Sequence, residues 1–230
     1  MKRLLALSTQ CFTASVIALL ISFSGSAIAE GIALPEKLPE LKVTEDETLG
    51  TLAKDFGLEP GETVDDFSLP NQFGKTVKTK KLRKKTPLLV IFYRGGWCPY
   101  CNRQIYELTE AWPEFEKRGV TPVLISADKP EAAALASRTY DIPFPVLSDP
   151  KLVAHNLFKV VMTLDAETLK KYEKFGVDLE EWSGETHASF AVSSAFYVDK
   201  SGMVKWAHSS LDYSKRPSIA QLLSVIDDQG

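Results

Sequence analysis

Residues 85–101 read KTPLLVIFYRGGWCPYC, and this stretch decides the fold. Leu88 to Tyr93 is a short continuous apolar run ending in aromatics, the pattern of a parallel strand buried on both faces. Past Cys98, residues Ile105, Leu108, Trp112 and Phe115 recur at helical spacing, and Gly119 stops that helix. The reading is therefore strand, glycine-containing join, helix. It sets Cys98 and Cys101 at the carboxyl end of a strand, where an α/β sheet presents function.

Working outward, VTPVLISA (120–127) and FPVLSD (144–149) read as two more buried strands, alternating with the helices PEAAALASRTY and PKLVAHNLF. GETVDDFSLPNQFGKTVKT predicts a small hairpin turning at Asn71–Gly74, and SSAFYVDKSGMVKWAHS a second one turning at Asp199–Gly202. PSIAQLLSVIDD closes the chain as a helix. Ahead of the first hairpin, Leu49, Leu52, Ala53 and Phe56 are spaced like one helical face over 46–58. The segment 161–190 is a polar, partly helical insert and the best-placed candidate for specificity. Strands alternating with helices imply an α/β architecture: a mainly parallel central sheet, helices on both faces, then a β-hairpin and helix.

The 230 residues suffice for one sizeable domain. Lys2 and Arg3, the apolar run Ala14–Phe23 and the small-residue site Ala27-Ile28-Ala29 read as a secretory signal peptide over 1–29. A loose arm over 30–45 and a domain over 46–230 follow. The expectation is an exported, periplasmic protein with no membrane segment after cleavage. Cleavage removes Cys11, leaving Cys98 and Cys101. It also removes Lys2 and Arg3 from the 27 basic residues, leaving 25 against 30 acidic and a net charge of −5. That balance argues against nucleic acid and anionic membranes as partners. The basic run Lys75–Lys85 reads as a solvated face.

A thiol at a helix amino terminus meets unpaired N–H groups and the positive end of the helix dipole, and both favour thiolate. One turn on, Cys101 is close enough for either sulfur to resolve a mixed disulfide or sulfenic acid on the other. Arg94 adds positive charge, and Trp97 either caps the core or shapes the approach to sulfur, so both are candidate substrate-binding residues. A purely structural disulfide over so short a loop constrains the unfolded chain little. Zinc is disfavoured, because only two cysteines remain and His155, His187 and His208 lack paired ligand spacing. His155 reads as a helix-surface residue. No cofactor is implied. Cys98 lies nearer the helix start and is expected to be the more exposed, which favours it as first nucleophile; Cys101 is the alternative.

Taken together, GETVDDFSLPNQFGK, LLVIFYRGGWCPYC, FPVLSDPKLVAHNLFKV and FYVDKSGMVKW resemble the thioredoxin-fold redoxins of the alkyl hydroperoxide reductase C/thiol-specific antioxidant group, the peroxiredoxins and their CxxC relatives. The resemblance runs from about Gly61 to Asp227 and implies a thioredoxin-like fold. It implies a thiol-dependent oxidoreductase reducing hydroperoxides or protein disulfides, recycled by a reduced thioredoxin-like donor. Cys101 falls on the family's peroxidatic cysteine, Cys98 on its threonine and Arg94 on its proline. The family's arginine ahead of the next-to-last strand has no counterpart in AVSSAF. The thioredoxins' cis-proline has none either, since no proline lies between Pro150 and Pro217. The alternative from the same fold is a copper-delivery protein using both cysteines and His187.

Overall fold

The computed structural model describes residues 47–229, and of Thr44–Glu45 the backbone pairing. The leader and nearly all of the arm lie outside the described residues. In chain order the elements are β1 (Thr44–Glu45), β2 (Ser68–Pro70), β3 (Thr76–Lys78), α1 (Thr79–Arg83), β4 (Leu88–Phe92), α2 (Pro99–Glu110) and α3 (Trp112–Lys117). Then come β5 (Thr121–Ser126), α4 (Pro130–Thr139), β6 (Val146–Ser148), α5 (Val153–Leu157), β7 (Val161–Thr163), α6 (Ala166–Lys174) and α7 (Leu179–Ser183). The last are β8 (Ser189–Ala191), β9 (Ser193–Val198), β10 (Val204–Ser210), β11 (Lys215–Arg216) and α8 (Ile219–Gln229).

The central sheet has the order β10-β9-β4-β5-β6. The β4–β5 and β5–β6 pairs are parallel, whereas β4–β9 and β9–β10 are antiparallel. The sheet is thus mixed rather than mainly parallel, because the C-terminal hairpin joins it at full length. The apolar run of β4 serves both faces, as a continuous hydrophobic strand must. Leu88, Val90 and Phe92 enter one core layer with Phe67, Ala154, Phe158 and Val204. Leu89, Ile91 and Tyr93 enter the other with both cysteines, Ile105, Leu108, Phe115, Ala133, Leu222 and Ile226. Each such buried aliphatic or aromatic side chain contributes about 1.5–3 kcal/mol relative to exposure.

Both predicted hairpins form, and the insert folds as β7, α6, α7 and β8, with β7 and β8 paired antiparallel. Three local readings are corrected. Residues 47–58 make turns and coil, not a helix; Gly50, Asp55 and Gly57 take positive φ, which interrupts the helical path. The helix starting at Cys98 breaks at Ala111 into α2 and α3, with Pro113 placed in the first turn of the second. His155 is wholly buried, not on a helix surface: its Nδ1 lies 2.7 Å from Asp149 Oδ2 and its ring packs edge-on against Phe92. Lysines 75, 78, 80, 81, 84 and 85 are exposed, as a solvated face requires. Among the described residues no helix is long and apolar enough to cross a membrane.

Candidate active site

Strand β4 ends at Phe92, but Tyr93 N–H still donates to Ile125 O of β5 at 3.0 Å. The chain then turns through Arg94–Trp97. Gly96 is clamped from both sides, its N–H donating to Asp128 Oδ2 at 2.9 Å and its carbonyl accepting from Asn102 Nδ2 at 2.7 Å. Gly95 has φ 153°, and a Cβ there would come within 2.3 Å of Trp97 Nε1 and 2.8 Å of Asp128 Oδ1. Only glycine lets this loop pack so tightly. Cys98 is the N-cap residue of α2, extended at φ −91° and ψ 113°, with Pro99 in the first turn. Asn102 N–H donates to Cys98 O at 3.1 Å, closing the first helical turn.

Cys98 and Cys101 are both free thiols and both 0% exposed. Cys98 is therefore not the more accessible sulfur. A cover of side chains accounts for this. The Arg94 guanidinium reaches over the join, with Nη1 4.0 Å from Cys98 Sγ. It is caged by aromatic rings: Tyr213 at 4.1 Å, Trp97 at 4.7 Å, Phe190 at 5.0 Å and Tyr172 at 5.7 Å. Its Nη2 also donates to the Tyr172 hydroxyl. Trp97 stands edge-on to Tyr172 and Phe190. Tyr172 comes from α6 and Phe190 from β8, so the insert at 161–190 supplies half of the cage.

Sequence reasoning missed Arg216. Its Nη2 lies 3.1 Å from Cys101 Sγ and its Nη1 2.7 Å from Gln104 Oε1, and the residue is 2% exposed. Strand β11 delivers it, paired in parallel with β1, and its Nε donates to Tyr213 O at 3.0 Å. No arginine immediately precedes β9, and the one that reaches Cys101 arrives after β10. Ser193, Ser194 and Ala195 line a small cavity together with Gln104 and Arg216. No linear signal marks a partner 115 residues from Cys101.

The two sulfurs titrate apart. Burial opposes a Cys101 thiolate, but the Cys98 hydrogen bond, the Arg216 charge and the Arg94 backbone N–H outweigh it and bring the thiol down to about 5. Burial, then the hydrogen bond and charge of Cys101, push the Cys98 thiol well above its ordinary range. Two adjacent thiols cannot both ionise in a dry site. The surroundings therefore favour Cys101 over Cys98 as the thiolate, with the Arg216 guanidinium beside it. Behind it Asp128 is 2% exposed; burial first, partly offset by the Gly96 N–H and Ser126, lifts its carboxyl to about 7.

The copper reading finds no support. His187 Nε2 meets Pro150 O at 2.9 Å and its Nδ1 accepts from Ser189 N–H at 3.0 Å, so both ring nitrogens are occupied. Among the described residues no three His, Cys, Asp or Glu side chains gather as a metal site. The peptide bonds among the described residues are all trans.

The AhpC/TSA family pattern matches residues 60–207. The chain belongs to the AhpC/TSA family. It is 28% identical over 153 residues to a putative peroxiredoxin of Mycobacterium tuberculosis, covering 66% of this chain and 86% of that protein. It is 34% identical over 89 residues to a chloroplastic peroxiredoxin Q of Populus jackii, covering 39% of this chain and only 41% of that one. It is 25% identical over 137 residues to the thiol-disulfide oxidoreductase ResA of Bacillus cereus, covering 59% and 76%. The peroxidoxin BcpB of M. tuberculosis shares the fold at TM-score 0.58 and 21% identity, over 74% of this chain and 96% of that one. Peroxiredoxin 6 of Arenicola marina does so at 0.61 and 15%, over 75% and 74%. The thioredoxin-like fold expected from the sequence is the fold observed, and the relatives' class is the thiol-dependent oxidoreductase expected of Cys98 and Cys101.

Proposed function

We propose that this AhpC/TSA protein reduces small hydroperoxides with Cys101 as nucleophile and Cys98 as resolving thiol. The observation that carries this is Arg216 on Cys101: it holds the thiolate ionised and can donate to the peroxide oxygens as the O–O bond breaks. Cys101 thiolate takes one oxygen and becomes a sulfenic acid, while the other oxygen leaves as alcohol or water. The Cys98 sulfur displaces the sulfenic oxygen as water and forms the disulfide. Seclusion of both sulfurs favours a small oxidant over a protein disulfide, which has to reach sulfur directly. Arg94 and Trp97 form the cover that the substrate passes. A reduced thioredoxin-like donor returns the electrons. Export to the periplasm fits the leader pattern and would make such a donor necessary in an oxidising compartment.

Stopped-flow mixing of the reduced protein with hydrogen peroxide tests this, beside insulin-disulfide reduction. Fast peroxide consumption is expected, abolished in Cys101→Ser. In Cys98→Ser a sulfenic acid should accumulate on Cys101. Full peroxide reactivity in Cys101→Ser would refute the assignment, and rapid insulin reduction with inert peroxide would refute the substrate class.

A further inference from the structure

Peroxide reduction by this pair, the reading proposed above and the one on which the following inference rests, has a second step that the site must also drive. Once Cys101 is a sulfenic acid, the Cys98 sulfur attacks the Cys101 sulfur, the S–S bond forms and the S–O bond breaks. Hydroxide leaves and the Cys98 proton completes it to water, so no further reactant is needed. The attacking species is thiolate rather than thiol. Yet Cys98 is 0% exposed, and burial is the first cause that keeps its proton on. The hydrogen bond and charge of Cys101 come next. Oxidation of Cys101 removes that charge, but burial stays. A cation beside Cys98 has to offset it.

Arg94 stands in that place. Its Nη1 N–H donates toward Cys98 Sγ from 4.0 Å, and the residue is only 8% exposed. Its other side-chain hydrogen bond, from Nη2, goes to the Tyr172 hydroxyl. No carboxylate pairs with it among the described residues, whereas Arg83, Arg103 and Arg118 each pair with one. The four rings around Arg94 hold the guanidinium without cancelling its charge. In a dry site an uncancelled charge acts strongly on a sulfur 4.0 Å away. The other groups facing the Cys98 sulfur are Cys101 from α2, Arg216 from β11 and Tyr172 from α6. Arg216 adds charge, but its N–H groups are engaged elsewhere: Nη2 with Cys101 Sγ, Nη1 with Gln104 Oε1 and Nε with Tyr213 O.

We propose that Arg94 activates Cys98 for the resolving step, holding its thiolate while it attacks the Cys101 sulfenic acid, as Arg216 holds the Cys101 thiolate for the attack on peroxide. Each sulfur has its own guanidinium, and the two act in turn. The insert thereby gains a role: Tyr172 of α6 and Phe190 of β8 keep the Arg94 side chain on Cys98. Arg94 keeps its own proton throughout, so the balance of the step is unchanged.

The test times the second step. Reduced protein is mixed with one equivalent of hydrogen peroxide, and disulfide formation, whose rate does not depend on peroxide concentration, is followed by quenching and mass spectrometry across pH. In Arg94→Met the midpoint of this rate should rise by about one pH unit and the rate below it fall about tenfold. Arg94→Lys, which keeps the charge, should recover part of both. A cover that merely opens changes the plateau of such a profile, not its midpoint. The same comparison is made without peroxide in Cys101→Ala, where the Cys101 charge is absent, from the pH profile of iodoacetamide alkylation at Cys98. There Arg94→Met should again move the midpoint up by about one unit. An unmoved midpoint on Arg94→Met in either experiment overturns the proposal. If Arg94→Met does not fold, Arg94→Gln against Arg94→Lys makes the comparison, and equal midpoints overturn it. Inert peroxide with a shifted alkylation midpoint removes the peroxide reading alone, since Cys98 then resolves a mixed disulfide on Cys101 in the same way.

Discussion

Replacing Arg216 tests the centre of the mechanism. Cys101 stands at about 5 against 9.0 for an ordinary cysteine here, a differential of about 5 kcal/mol in favour of the thiolate. Arg216 contributes a charged hydrogen bond at 3.1 Å, and such a bond is worth about 1.5–3 kcal/mol, or roughly one to two pKa units. Arg216→Met should therefore raise the Cys101 midpoint to roughly 6–7. Near pH 6 the thiolate share then falls from about nine-tenths to between a half and a tenth, and peroxide reactivity falls with it. Arg216→Lys keeps the charge but loses the second arm to Gln104, so it should recover part of the shift. The assay is the pH profile of iodoacetamide alkylation, with mass spectrometry assigning the modified sulfur. The sign also sets stability: a cysteine depressed in the folded state stabilises the reduced protein fully above its unfolded pKa near 9.0, and that stabilisation is lost as pH falls through about 5. An unmoved Cys101 midpoint in Arg216→Met, or alkylation of Cys98 first in the wild type, would refute the reasoning.

Tyr172→Ala should loosen the cover on Arg94; a cation–π contact of about 0.5–2 kcal/mol predicts a roughly twofold to thirtyfold gain in maleimide labelling of the cysteines, and no gain would show that α6 does not gate them. Asp128 is raised from 3.8 to about 7, so it penalises the folded state increasingly as pH climbs through that window. Relative to wild type, reduced Asp128→Asn should gain nothing near pH 4 and up to about 4 kcal/mol by pH 7 in urea titrations, and a pH-independent gap would contradict this. Phe158→Ala removes a ring 5.1 Å from Phe92 and 4.9 Å from Phe196 and should cost about 3–5 kcal/mol by denaturant unfolding; a loss below ~1 kcal/mol would mean that layer is loosely packed.

Local chemistry wrote much of this molecule. The apolar run Leu88–Tyr93, the turn residues at Asn71–Gly74 and Asp199–Gly202, and Pro99 after Cys98 act within a few residues, through burial, turn geometry and helix starts. They fixed the strands, both hairpins and the place of the two sulfurs. The same short range misled at 46–58, where four apolar residues mimic a helix face but positive-φ residues break the path. The tertiary structure alone set which sulfur the surroundings favour as thiolate. Position in the helix pointed to Cys98, yet a buried charge takes its energy from whatever lies within a few ångströms, regardless of sequence distance. Arg216, brought by β11 to within 3.1 Å of the Cys101 sulfur, is such a neighbour. No periodicity or spacing encodes its meeting with Cys101, because only packing of the whole chain makes the two adjacent.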